Sequence, residues 1–110
     1  LKLNKDFYCG FSPERINPGD KLHNFENIIK VVSGSNDYSK KIINNLYKMA
    51  VKAGTHLAEN IKTAEAAKII ENTQRDINIA LINEFSILCD KMGLNTNEVL
   101  KSASSKWNFH

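Results

Sequence analysis

Between Gly54 and Gly93 the chain carries neither glycine nor proline, and this uninterrupted stretch is what most constrains its fold. Without a breaker, residues 64–91 are predicted to form one helix about 42 Å long at 1.5 Å per residue. Thr63 is the expected cap, and Glu65 suits the positive first turn. Ile69, Ile70, Ile77, Ala80, Leu81, Phe85 and Leu88 recur at helical spacing and form the main apolar stripe. Ile79, Ile82 and Ile87 fall outside that stripe, so the apolar arc is too wide for a simple surface helix. A second subunit or a further domain is therefore expected to cover it. After Gly93, Asn95-Thr96-Asn97-Glu98 resembles a capping box opening a short last helix, and Trp107 and Phe109 make an exposed aromatic tail.

The remainder of the chain must supply whatever that helix leans on. At 110 residues it has room for one small domain, and 42% hydrophobic with 25% charged residues exclude a disordered or collagen-like polymer. The start lacks a methionine and the end at Trp107-Asn108-Phe109-His110 is abrupt, so a piece of something longer is expected. No run of about 18 apolar residues occurs and the first residues carry no apolar core of a signal sequence, so the reading is no membrane span and a cytoplasmic location. The net charge of +3 comes from scattered lysines without an interleaved aromatic run, which argues against nucleic acid. Cys9 and Cys89 lie far apart with no CxxC, so neither a disulfide framework nor a zinc site is expected, and Cys89 reads as core packing.

In the first third, Phe7–Phe11 and Ile28–Val32 read as strands, the second ended by Ser33-Gly34-Ser35. Asp37–Ala53 is predicted as a helix stopped by Gly54, and 55–58 as a short strand. Two constellations have chemical potential. Phe11-Ser12-Pro13-Glu14-Arg15-Ile16-Asn17-Pro18-Gly19-Asp20 holds a carboxylate on a proline-stiffened loop just after a strand, where α/β folds place ligand contacts; an ordinary turn with solvated charges is the plain alternative. Lys68 and Asn72 are four apart on the long helix, so an ammonium and an amide can converge on one oxygen, although such pairs are common on helix surfaces. His23 and His56 show no partner in sequence, and Arg75 with Asp76 reads as a solvated edge or a subunit ion pair.

Taken together, the Phe11–Asp20 run, the segment Ala64-Glu-Ala-Ala-Lys-Ile-Ile-Glu-Asn-Thr-Gln-Arg-Asp76 and the tail Lys106-Trp107-Asn108-Phe109 resemble the UDP-glucose/GDP-mannose dehydrogenases. Within that family they are most similar to the UDP-N-acetyl-hexosamine 6-dehydrogenases of bacterial surface-polysaccharide synthesis. The similarity runs from about Tyr8 to the end, with the three motifs in the family's order. It implies an α/β fragment, mainly helical: residues 1–60 as the C-terminal part of a Rossmann NAD-binding domain, and 61–110 as a truncated helical central domain that forms a homodimer through the long helix. It also implies oxidation of a UDP-N-acetyl sugar at C6 to a carboxylate with NAD, through a thiohemiacetal and a thioester on a cysteine. Matched residue by residue, Glu14 falls on the glutamate of thioester hydrolysis, Lys68 on the lysine that stabilises the oxyanion, and Asn72 on the asparagine that binds the same oxygen. Arg15, Ile16 and Asn17 match the loop lying against the substrate, and the three catalytic groups are expected around one sugar carbon.

Two elements of the family pattern do not occur in the 110 residues: the Gly-rich dinucleotide loop and the Gly-Gly-His-Cys nucleophile segment. Neither Cys9 nor Cys89 has the context to replace the latter. The chain alone is therefore expected to lack dehydrogenase activity and normal NAD binding. Two other readings compete: a non-enzymatic helical dimerisation module, and a 6-phosphogluconate-type hydroxyacid dehydrogenase, whose long helix also carries a Lys and Asn four apart. The Pro13–Asp20 loop argues against the latter.

Overall fold

The computed structural model describes residues 1–109. The described chain is mainly helical with one small sheet: β1 (Gly10–Phe11), β2 (Lys30–Gly34), α1 (Asp37–Ala50), β3 (Thr55–Leu57), α2 (Ile61–Met92) and α3 (Thr96–Ser104). It divides into two compact units, Leu1–Ile70 and Glu71–His110.

In the first unit β2 is the central strand, antiparallel to β1 and parallel to β3. The parallel pair requires a crossover, which α1 provides. All five β2 residues are buried, and Val31 joins Ala58 and Ala64 in a small core with Phe11 packed against it. Val32 is fully buried, which contributes about 1.5–3 kcal/mol. The strand runs two residues beyond its predicted end. Ser33 stays in the ladder because its hydroxyl donates to the Phe11 carbonyl at 3.0 Å, and Gly34 because α1 passes so close that no side chain fits. Ile29, predicted inside the strand, is exposed.

The predicted Phe7–Phe11 strand contracts to Gly10–Phe11. The Cys9 N–H donates to the Ser35 hydroxyl rather than to a strand, and the Phe7 carbonyl closes a turn with the Asn4 N–H, where Asn4 has φ +65°. α1 opens on a reciprocal cap between Asn36 and Ser39 and stops at Ala50, three residues before its predicted end. Val51 is buried in an extended conformation, and Ala53 donates to the Glu26 carbonyl at 3.0 Å, drawing the chain off the helix axis before Gly54 turns it at φ +90°.

The long helix forms as predicted and is longer, 32 residues or about 48 Å. It starts earlier because Asn60, not Thr63, is the cap: the Asn60 side-chain oxygen accepts the Thr63 N–H at 2.9 Å, which moves Glu65 out of the first turn. Its end is a Schellman arrangement, with Gly93 at φ +69° and Leu94 donating to the Cys89 carbonyl at 2.9 Å. Cys89 is buried, as its apolar setting implied.

Residues of the main stripe on α2 and those outside it are exposed alike. Ile77 of the stripe and Ile79 outside it are 59% and 55% exposed, and Leu81, Phe85 and Leu88 are comparably open. Periodicity tells which side chains share a face; it does not provide a surface for that face within the same chain.

In the second unit α3 is capped by Asn95, which accepts from the N–H groups of Asn97 and Glu98. Glu98 turns to Lys101 at 2.8 Å instead of reaching back, so this cap is one-sided and the predicted box does not close. Trp107 is 88% exposed. Among the described residues no helix is long and apolar enough to cross a membrane.

Candidate functional site

The loop leaving β1 is built around Glu14. Pro13 is buried and fixes the backbone, and the Glu14 carboxylate folds back so that its Oε1 accepts the N–H of Arg15 at 2.7 Å and of Ile16 at 2.8 Å. Lys30 at the start of β2 stands 3.6 Å from the same oxygen, and its Nζ donates to the Pro13 carbonyl at 3.2 Å. The Ile16 and Arg15 amides, followed by the charge of Lys30, hold the Glu14 pKa below the ordinary glutamate range. Glu14 is thus an ionised, oriented and solvent-facing carboxylate at neutral pH. Such a group is a weak proton acceptor but a well-placed hydrogen-bond acceptor for water.

Arg15, Ile16 and Asn17 follow in the same loop. The Arg15 guanidinium donates to the Ile29 carbonyl at 2.9 Å, Ile16 is half-buried, and the carbonyl of exposed Asn17 accepts the Asp20 N–H at 3.1 Å. Sequence reasoning missed Lys30, whose one signal was a charge interrupting the apolar run Ile28–Val32. It also assigned no partner to His23. The His23 ring lies 2.8 Å from Asp20 Oδ2, and Asp20 Oδ1 accepts the N–H groups of Leu22 and His23.

Those bonds, led by the His23 amide and ring, lower the Asp20 pKa to about 2. Because the folded value lies below the ordinary 3.8, the stabilisation of this turn is complete above about pH 4 and is lost as pH falls through about 2. Carboxyl-detected NMR is expected to give an Asp20 midpoint near 2, with the Leu22 and His23 amide shifts following the same curve. A midpoint near 4 would show that the turn is not closed in solution.

Lys68 and Asn72 occupy successive turns of α2, Lys68 in the first unit and Asn72 in the second. Lys68 is half-buried, and among the described residues no hydrogen bond or ion pair engages its ammonium. Asn72 is exposed, and its Oδ1 accepts from Arg75 Nη2 at 2.8 Å. That contact occupies the acceptor end of the amide and leaves its N–H groups to donate. Arg75, read from sequence with Asp76 as a solvated edge or a subunit ion pair, donates instead to Asn72.

Among the described residues no three His, Cys, Asp or Glu side chains cluster at metal-ligating distance. The N-terminus of α1 is closed by its own Asn36–Ser39 cap, and the space beside Gly34 is filled by the α1 backbone, so this strand-to-helix turn is not open to a phosphate.

Residues 62–110 match the UDP-glucose/GDP-mannose dehydrogenase family, central domain. The chain is 59% identical over 109 residues to Protein CapL of Staphylococcus aureus, and 57% identical over 109 residues to the UDP-N-acetyl-D-glucosamine 6-dehydrogenase of Pseudomonas aeruginosa. Each match covers 99% of this chain and 26% of the relative, so the chain spans about a quarter of their length. Its fold superposes on the UDP-D-ManNAc dehydrogenase from Pyrococcus horikoshii with a TM-score of 0.88 at 30% identity, covering 99% of this chain and 26% of that one. Through residues 62–110, which match its central domain, and through relatives 57–59% identical over 99% of the chain, the sequence is similar to the UDP-glucose/GDP-mannose dehydrogenase family.

Proposed function

We propose that the chain is a segment of an NAD-dependent nucleotide-sugar 6-dehydrogenase that oxidises the C6 hydroxyl of a UDP-N-acetyl-hexosamine to a carboxylate for surface-polysaccharide synthesis. The observation that carries this reading is the 57% identity, over 109 residues, to a UDP-N-acetyl-D-glucosamine 6-dehydrogenase. In this reading residues 1–60 are the end of the Rossmann NAD-binding domain and 61–110 part of the central domain. The open apolar flank of α2 packs against a second copy in a homodimer.

Converting an alcohol to a carboxylate removes four electrons, so the reaction would need two NAD, each supplying a two-electron hydride acceptor when bound. This chain's own groups do the rest of the work assigned to it. Lys68 and the Asn72 amide donate to the oxygen on which negative charge develops, where prearranged donors are worth most in a dry site. Glu14, ionised and fixed through Oε1, orients the water that attacks the acyl carbon. Arg15, Ile16 and Asn17 line the substrate side of the same loop.

A polypeptide extended on both sides of this segment is expected to form two NADH per uronate from UDP-N-acetylglucosamine or UDP-N-acetylgalactosamine, and residues 1–110 alone none. Turnover by the 110-residue chain, or an extended protein that oxidises neither sugar, would overturn the reading.

A further inference from the structure

We propose that Lys30 is a positioning residue that holds the hydrolytic carboxylate of Glu14 in its working orientation. The inference rests on the role given to Glu14 above and adds the group that fixes it.

A lysine at the first position of a fully buried strand is unexpected on energetic grounds. Its residue exposure is 2%, its neighbours are Val31 and Val32, and burying an ammonium is costly unless partners replace water. The replacements are specific. Of the three N–H donors of an ammonium, one reaches the Pro13 carbonyl at 3.2 Å and another faces Glu14 Oε1 at 3.6 Å, while Nζ lies 5.4 Å from the centre of the Phe25 ring. The two oxygen partners belong to consecutive residues, so Lys30 grips the backbone just before Glu14 and its carboxylate together.

The direction of influence follows from the difference in burial. The Lys30 side chain is 3% exposed and that of Glu14 64%. The cation is fixed by the core; the carboxylate is the partner free to change rotamer in water. Of the two carboxylates on the Phe11–Asp20 loop, it is that of Glu14 that Lys30 faces, while Asp20 is engaged by Leu22 and His23. The neighbouring anchor reinforces this: the Ile29 carbonyl, one residue before Lys30, accepts the Arg15 guanidinium. Residues 29 and 30 thus clamp residues 13–15 from the edge of β2, and Oε1 meets three donors while Oε2 takes none of these bonds.

The test uses Lys30→Gln and Lys30→Arg in the extended, active protein, with Glu14→Gln as reference. Lys30→Gln retains a polar stem without the charge and is expected to lower kcat about 10- to 100-fold with KM for the UDP-sugar nearly unchanged. Lys30→Arg is expected to recover most of the parent kcat, because it restores a cation at the same strand position. In Lys30→Gln the amide resonances of Arg15 and Ile16, which report the Oε1 contacts, should move toward their positions in Glu14→Gln. Parent-like kcat in Lys30→Gln, a loss carried by KM, or arginine and glutamine variants equally impaired would each overturn the proposal. If Glu14→Gln itself leaves kcat intact, the hydrolytic role of Glu14 fails instead, and the amide shifts alone then decide whether Lys30 fixes the carboxylate: unmoved resonances refute it.

Discussion

Replacing Lys68 by alanine is expected to reduce turnover of the extended protein about 10²- to 10³-fold, equivalent to about 2.7–4 kcal/mol of lost transition-state stabilisation. The fold should be indifferent to the change. Lys68 is half-buried in the third turn of α2, engages no hydrogen-bond or ion-pair partner among the described residues, and gives way to the best helix former. Removing it leaves no orphaned group behind, so the melting temperature should stay within about a degree or two of the parent, as for surface substitutions away from special features. Asn72→Ala should act in the same direction, and the double variant should lose less than the sum, because donors to one oxygen act as a unit. Steady-state kcat beside a thermal melt checks this. Unaltered kcat in Lys68→Ala would remove the oxyanion role; a collapsed melt would mean that the lysine is structural.

Gly34→Ala is expected to have the largest effect on stability. A Cβ at that position would fall on the backbone nitrogen of Lys40, 2.6 Å from the Ser39 hydroxyl and 2.8 Å from the Lys40 Cα. Two of those three atoms are main chain in the first turns of α1, so relief requires the helix to move off the sheet and breaks the Asn36–Ser39 cap. Such overpacking costs about 3 kcal/mol, and for a unit of this size each kcal/mol lowers the melting temperature by about 4–8 °C. Gly10, its partner across the β1–β2 ladder, is the control. The three atoms a Cβ there would meet first, Cγ1, Cδ1 and Cβ of Ile43, are all side chain and none is main chain, so Gly10→Ala should cost less than Gly34→Ala. Melts of the two variants that coincide, or reverse in order, would contradict the packing described here.

What was legible in the sequence was whatever local chemistry decides. The helix after Gly54 followed from an unbroken run of residues that tolerate helix, and the second strand and α1 from apolar spacing and turn residues. Boundaries slipped where a distant group intervened: Asn60 displaced Thr63 as a cap by one hydrogen bond, and Ala53 was drawn away by the Glu26 carbonyl. The loop at Glu14 was recognisable as a motif. Its supporting cation was not, because the approach of Lys30 depends on β2 pairing next to β1, a register that nothing within the loop encodes. Arg75 escaped for the opposite reason: a three-residue helical contact to Asn72 is one of several that spacing allows, and only coordinates choose among them.

Among the described residues, the contacts that restrain the Glu14 carboxylate come from residues no farther along the chain than Lys30. On the proposed reading, the groups that aim the water-directing carboxylate all lie within the first thirty residues. A lineage could then vary the helices to accept a different sugar, or a different subunit neighbour, while inheriting the water-directing group unchanged.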